Sequence, residues 1–516
     1  MSVSGPATLN VTYEDDPRVV AEAAVDDYAN HVVPLSARMG RGSLSMAWYG
    51  VASAIFYVVT GAAVASAYGT KQATIGLVLT IVVYSAINYV ISSAAAETGL
   101  SVAMFSRSMF GLVGAALATL IFAATAIYYF VFEGSIIAVA AQFQFGGNLK
   151  VWMAAVCVIG LLLIMRGVSQ WMDKFNGILL PFYVVGIIGA VIWAIAKYGY
   201  SSNWWNVHGS VSTGAVPGWL AAFITYMGVW VLMMFTMDFA RLGKPQDRKF
   251  LGWVTFGPVF YTFAFGLTAF VGVFLANTVP VPKTGFGEAG AAIAIVQLMG
   301  FLGVLVIFVT QARINTANLY LASSNLEAFV ARVFRVRLPR TVWSIVAAVI
   351  CWVLMIWNAV LSHVLQALAY QGVFITAWVT IALVHIAYTR KTGTKVEFRP
   401  WRIPAVNPGG MTAWFSAVVV GIFLLEKKGL DPSLVQLAPL VTVVISGVVY
   451  AVSLAIVRPA TRRRAADPAH EVEDPWEARI RCGSCDRSYV AVEMDRRVDG
   501  DQQPACASCA QVSSAG

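Results

Sequence analysis

Charge is what this sequence has least of. Lys, Arg, Asp and Glu make up 12% of its 516 residues, about half the ~25% share of a soluble domain. Hydrophobic residues reach 59% and the mean hydropathy is +0.72. So little polar surface cannot solvate a globule of this size, which excludes a soluble enzyme and a disordered chain. Six cysteines in 516 residues are too few for a disulfide scaffold. The start is not expected to be a secretory leader. Residues 1–30 carry Glu14, Asp15, Asp16, Glu22, Asp26 and Asp27, with no basic start and no apolar stretch. The apolar runs lack a β-barrel alternation, a ring of filter residues, a nucleophile elbow, a phosphate loop and a His/Asp/Glu metal cluster. A channel and an embedded enzyme are therefore disfavoured, and an all-α integral membrane protein remains.

Twelve apolar runs are long enough to cross a hydrocarbon core of about 30 Å. They cover about 44–67, 73–96, 109–141, 149–168, 175–196, 218–240, 250–276, 289–320, 341–361, 364–388, 411–426 and 435–457. The third and eighth exceed what one span needs. Positive charge sets the orientation. With a cytoplasmic N-terminus, Arg241, Lys244, Arg248, Lys249, Arg332, Arg335, Arg337, Arg340, Arg390, Lys391, Lys395, Arg399 and Arg402 all fall inside. Outside fall only Lys71, Lys150, Lys197, Lys283, Lys427 and Lys428. Both ends are then expected in the cytoplasm of a cell-membrane protein. The net charge of +9 is mostly this topology signal and needs no nucleic-acid partner. The expected division is a tail over 1–43, a twelve-helix domain over 44–457, a polar linker over 458–475 and a cysteine-rich domain over 476–516. The linker opens on Arg462, Arg463 and Arg464, a basic run suited to anionic headgroups.

Four of the six cysteines lie in the last part: Cys482 and Cys485, then Cys506 and Cys509, twenty residues further on. A C-x2-C pair turns two thiolates onto one metal, and two such knuckles complete a tetrahedral site. The spacing predicts a small zinc ribbon on the reducing side of the membrane. Disulfide pairing and an unstructured tail are the alternatives. With four protein ligands the metal is structural, not catalytic. Cys157 and Cys351 stand alone in apolar runs and pack.

Polar groups inside spans cost about 2.5–3.5 kcal/mol each on insertion scales, so each needs a reason. Glu133 lies mid-run in the third span, and Tyr129 precedes it by four residues, on the same helix face. An aromatic and a carboxylate so placed can stack on and hydrogen-bond a planar heterocycle. The alternative is a buried Glu paired to a neighbouring helix. Arg313, in the eighth run, needs a cavity, a carboxylate or carbonyls, unless it snorkels to the interface. Asn315 and Asn318 nearby can bond a ligand, unwound backbone or another helix. Glycines interrupt the first run (Tyr49-Gly50, Thr60-Gly61) and the sixth (Tyr226-Met227-Gly228-Val229-Trp230). Corresponding breaks at the start of two five-helix groups point to an inverted-repeat transporter.

Three motifs carry a family resemblance. Thr98-Gly99-Leu100-Ser101 with Ser106-Arg107-Ser108-Met109-Phe110-Gly111 resembles the stretch before helix 3 of nucleobase:cation symporter family 1, the purine/cytosine, allantoin, uracil and hydantoin permeases. Asp238-Phe239-Ala240-Arg241 is similar to that family's signature after helix 6, with Ala240 in place of a hydroxyl residue. Asn315-Thr316-Ala317-Asn318 resembles its Asn-rich helix 8. The resemblance spans roughly 38–457 and leaves the cysteine tail outside. It implies a leucine-transporter-like 5+5 inverted repeat with broken helices 1 and 6. It also implies a substrate site of Tyr129, Glu133, Trp230 and Asn318, with Tyr129 where the family usually has Trp and Glu133 where it has Gln. Arg313 and Ile314 stand where sodium-coupled relatives carry hydroxyls, so the guanidinium would replace sodium and a proton would move through Glu133.

The expected function is a secondary carrier importing a nucleobase or related heterocycle, proton-coupled and sodium-independent. Two other readings stay open. One is a carrier for a cationic or vitamin-like heterocycle such as thiamine or pyridoxine. The other is a non-transporting membrane sensor that signals to a cytoplasmic partner through the zinc tail.

Overall fold

The computed structural model describes residues 7–513 apart from 27, 29, 166–168, 283–288, 335, 337, 358–360, 362, 457–466 and 498–501. Lys283, Arg335, Arg337 and the Arg462–Arg464 run lie outside the described residues, as do the side chains of Arg313, Arg332 and Arg340. Among the described residues, apolar helices matching the twelve runs follow in the expected order. They are α1 (Arg41–Ser53 and Ile55–Tyr68), α2 (Thr70–Thr98), α3 (Ala116–Phe145), α4 (Leu149–Met165), α5 (Ser169–Tyr198) and α6 (Gly218–Val229 and Val231–Ala240). Then come α7 (Pro245–Thr278), α8 (Phe301–Val333), α9 (Arg340–Trp357), α10 (Val364–Thr392), α11 (Pro408–Glu426) and α12 (Ala438–Ile456). Eight are long and apolar enough to cross a membrane, ten when each bent pair counts as one span. The apolar helices α4 and α9 are shorter.

α1 bends by 49° and α6 by 45° at their breaks, the two spans expected to be broken. Of the two over-long runs, the third is filled by α3 itself, 30 residues long, and the eighth contains a second helix. Ahead of α3 a separate helix, Val102–Phe110, ends at Gly111, whose φ of 86° turns the chain. Ahead of α8 the helix Gly290–Met299 ends at Gly300, with φ 55° and ψ −128°. Only glycine adopts that conformation readily. Met299 and Phe301 flank it, so hydropathy alone shows one continuous run.

Packing divides the helices into groups. α3, α4, α8 and α9 pack on one another, and the α3–α8 pair is the most extensive in the molecule. α2 packs along both halves of α6, and α7 lies along α1. A Cβ on Gly272 of α7 would collide with the Val58 carbonyl of α1, so these two backbones touch directly, as small residues permit in membranes. α10, α11 and α12 form a third cluster, with α10 against the α6 break.

The C-terminal part is a small β unit. β2 (Arg479–Arg481) and β3 (Ser488–Val490) form an antiparallel hairpin, and β4 (Asp495–Arg496) pairs with β5 (Pro504–Ala505). The segment before the spans, expected as a tail by itself, adds a strand. β1 (Val11–Thr12) pairs antiparallel with β2, Val11 opposite Ile480 and Thr12 opposite Arg479. Both ends of the chain therefore meet on one face of the helical layer.

Candidate substrate site at the broken helices

The second half of α1 starts in the interior of the protein, and its first N–H groups have no partner within the helix. The N-cap residue is Ala54, whose side chain has nothing to offer them. In a membrane such groups must be satisfied from elsewhere. Two other helices do this. Gln311 of α8 accepts from the Ile55 N–H through Oε1 at 3.3 Å. The Glu133 carboxylate of α3 faces the Phe56 N–H, the next donor of the half-helix. Gln311 then donates from Nε2 to the Glu133 carboxylate. Glu133 is 1% exposed and Gln311 fully buried. A carboxylate at the positive end of a half-helix is favourably placed.

Aromatic side chains surround this cap. Phe56 meets Tyr129, one turn before Glu133, edge to face at 5.1 Å, and Phe132 at 5.2 Å. Beyond them Tyr84 of α2 donates its hydroxyl to the Tyr226 carbonyl at the α6 break. Trp230, the first residue past that break, stands edge-on to Tyr84 at 6.5 Å. The Tyr129 hydroxyl and the Trp230 indole N–H are buried with no hydrogen-bond partner. A buried polar group left open in this way is costly unless something else fills it.

Of the expected residues, Tyr129 and Glu133 lie together at the α1 break, and Trp230 lies at the α6 break. Asn318 is buried on α8, seven residues past Gln311 and so on the same helix face. Asn315 turns elsewhere. Its Nδ2 abuts Gly134, beside Val156 of α4 and Met355 of α9, so it sits within the α3–α4–α8–α9 group. Arg313 lies on α8, its side chain outside the described residues. Sequence reasoning missed Gln311. The signal was the i, i+7 spacing of Gln311 and Asn318 on one helix face, less conspicuous than the charge of Arg313.

The tail holds a second cluster. The sulfur atoms of Cys482, Cys485, Cys506 and Cys509 all lie within 4.8 Å of one another, and all six cysteines are free thiols. A tetrahedral ion with Zn–S bonds of about 2.3 Å separates its sulfurs by about 3.8 Å, so the donor set fits. The knuckles are built by backbone. Asp486, at φ 60°, turns the hairpin so that its N–H reaches the Cys482 carbonyl at 2.9 Å. The Gly483 N–H ties this knuckle to the Pro504 carbonyl at 2.8 Å. The Cys506 N–H points at Cys482 Sγ at 3.4 Å.

Paired broken spans with a polar cap at the break have the form that discontinuous helices take in membrane carriers. No known sequence family matches the chain, and no curated relative does. Among solved structures the fold is that of Mhp1. In its inward-facing conformation Mhp1 has a TM-score of 0.68 at 15% identity, covering 86% of this chain and 97% of that one. In a closed conformation with bromovinylhydantoin bound, it is described as a nucleobase-cation-symport-1 family transporter; there the TM-score is 0.63 at 17% identity, with 86% and 98% covered. A Na+-coupled sialic acid symporter shares the fold with a TM-score of 0.56 at 14% identity, covering 87% and 97%. All are transporters and none is an enzyme. The resemblance read from the motifs is thus matched at the level of the fold.

Proposed function

We propose that the protein is a secondary active transporter of the cell membrane, with both ends cytoplasmic, importing a nucleobase or related planar nitrogen heterocycle. Cytosine, a purine, allantoin and hydantoin are the candidate rings. The observation that carries this is the capped α1 break. Glu133 and Gln311 meet the half-helix there, beside a buried aromatic, Tyr129, whose hydroxyl is unpaired. Tyr129 and Trp230 would cover the ring, and Glu133 and Asn318 would bond its polar edge. Transport is proton-coupled through Glu133 and independent of sodium, with Arg313 and Ile314 where sodium-coupled relatives carry hydroxyls. The four tail cysteines would hold one structural zinc, and the tail is the surface for any cytoplasmic partner. The charge of Glu133 favours a second substrate reading, a cationic or vitamin-like heterocycle such as thiamine or pyridoxine.

The test is uptake into proteoliposomes of labelled cytosine, uracil, adenine, hypoxanthine, allantoin, hydantoin, thiamine and pyridoxine. Each is run with an inward proton gradient, with sodium, and with neither. The expected result is proton-driven uptake of one ring, unchanged by sodium. Stimulation by sodium alone would overturn the role given to Arg313 and Ile314. Binding without uptake would leave the protein a sensor.

A further inference from the structure

We infer that Glu133 fills, from within the chain, the anion position at the start of the second half of α1, and that the site therefore rejects rings bearing a carboxylate. This rests on the carrier reading above. A helix N-terminus attracts anions through its free N–H groups and its dipole. In carriers with broken spans that end can receive an anionic group of the substrate. Here the Ile55 N–H is already taken by Gln311, which also holds the Glu133 carboxylate facing the Phe56 N–H. Tyr129, 8% exposed, stands edge-on to Phe56 with an open hydroxyl, so a ligand seated on Tyr129 lies beside the Glu133 carboxylate. Two carboxylates that close, with little water between them, repel strongly. A ring presenting N–H donors meets an acceptor instead. Gln311 is a positioning residue, holding the Glu133 carboxylate at the cap, where the polar edge of the ring meets it.

The experiment compares each ring of the panel with its carboxylated counterpart, for example uracil against uracil-6-carboxylate. Competition is read both in uptake and in binding to the purified protein by tryptophan fluorescence. In wild type the carboxylated ring is expected to compete about 100-fold more weakly, as like charges in contact cost several kcal/mol. Glu133→Gln keeps an acceptor for the Phe56 N–H and should narrow the ratio to within about tenfold. Gln311→Ala keeps the charge, so it should raise KM while leaving the ratio intact. Equal competition in wild type, or a ratio untouched by Glu133→Gln, overturns the inference. Binding without uptake overturns the carrier reading alone, since the binding ratio still decides this one.

A second inference rests on a separate observation, the way the C-terminal unit is moored. On one side it holds the segment before α1. Asp15 pairs with Arg479 at 2.8 Å, and Asp16 accepts from the Ser488 N–H at 3.1 Å. His31 stacks on Tyr489 at 4.2 Å, and its ring nitrogens reach Glu493 at 2.8 Å and Ser508 at 3.0 Å. Glu493 also accepts from the Val32 N–H at 2.8 Å. A few residues on, the buried Arg38 donates to the carbonyls of Ala96, at the end of α2, and Gly243, just past α6, both at 2.8 Å. On its other side the unit grips the loop between α10 and α11. Arg402 pairs with Asp495 at 2.9 Å, and Arg399 donates to the Met494 carbonyl at 3.1 Å. Arg107, in the short helix before α3, donates to Gln511 at 2.8 Å.

We propose that this unit is a strap, tying the cytoplasmic ends of α2 and α6 to the α10–α11 loop and the approach to α3, and so slowing opening on that face. Glu493→Ala loosens it from the ribbon side and His31→Ala from the N-terminal side, the latter leaving the ribbon itself untouched. Spin labels at Ser36 and Val406 report the spacing, and efflux from loaded proteoliposomes reports the opening rate. Both variants should broaden the distance distribution and raise efflux by roughly tenfold, the factor for losing one charge-assisted hydrogen bond. Unchanged distances, or broader distances with unchanged efflux, overturn the proposal.

Discussion

Glu133→Ala should abolish uptake while leaving the protein folded. The substitution strips the partner from Gln311 Nε2 and removes the carboxylate that faces the Phe56 N–H, both in the interior. Two unsatisfied buried groups cost about 2–6 kcal/mol together, enough to displace the start of the half-helix on which the site is built. Stability should suffer less, because the α3–α8 contact is extensive and does not rest on this pair alone. The measurement is uptake at saturating substrate alongside the melting temperature in detergent. The account expects uptake at background and a melting temperature only a few degrees lower. Near-normal uptake would mean that the cap is structural decoration and the substrate lies elsewhere.

Metal removal should unfold the C-terminal unit and spare the helices. Its buried cluster is small: Ala478, Ile480, Cys482, Tyr489, Ala491, Met494, Ala505 and Cys506. Units of about 40 residues rarely stand on such a core without a metal or disulfide. A structural zinc in finger peptides contributes about 10–16 kcal/mol at pH 7. Purified protein should carry one zinc per chain. A chelator, or Cys482→Ser with Cys506→Ser, should expose 476–513 to protease and free the N-terminal segment through the lost β1–β2 pairing. Helical circular dichroism should stay constant. Acid acts in the same direction, since the thiolates release metal as they protonate. One carboxylate holds longer: Asp467, just ahead of the unit, pairs with Arg399 of the α10–α11 loop at 2.7 Å. Burial pushes the Asp467 carboxyl up, yet Arg399 and Arg402 beside it outweigh this and keep it below the ordinary carboxylate value. Its contribution is complete above that value and is lost only as pH falls below it. A metal-free preparation with the same protease pattern would contradict the ribbon.

Much of the fold is legible in the sequence because bilayer thickness and backbone satisfaction leave few choices. Hydropathy gives the order of the apolar helices, and glycine placement marks α1 and α6 as broken. The detail differs where chemistry is not hydropathy. The α1 break falls at Ser53–Ala54, between the two glycine sites, because what stabilises it comes from α3 and α8. Gly300 escaped notice because the residues on either side are apolar. β1 is two residues long, in an acidic stretch, and is a strand only because β2 offers it an edge. For the site, Glu133 was conspicuous as a lone charge, whereas Gln311 is neutral and identifiable only through its partner. The four cysteines were legible because metal geometry fixes their spacing.

Counterflow tests the central claim most directly. Proteoliposomes loaded with an excess of one unlabelled ring are diluted into a trace of the same ring labelled, with no ion gradient. A carrier whose site faces each side in turn accumulates label transiently above the outside concentration and then loses it. The account predicts that overshoot for wild type and its absence in Glu133→Ala. Saturable binding of the ring to wild type without any overshoot would contradict it.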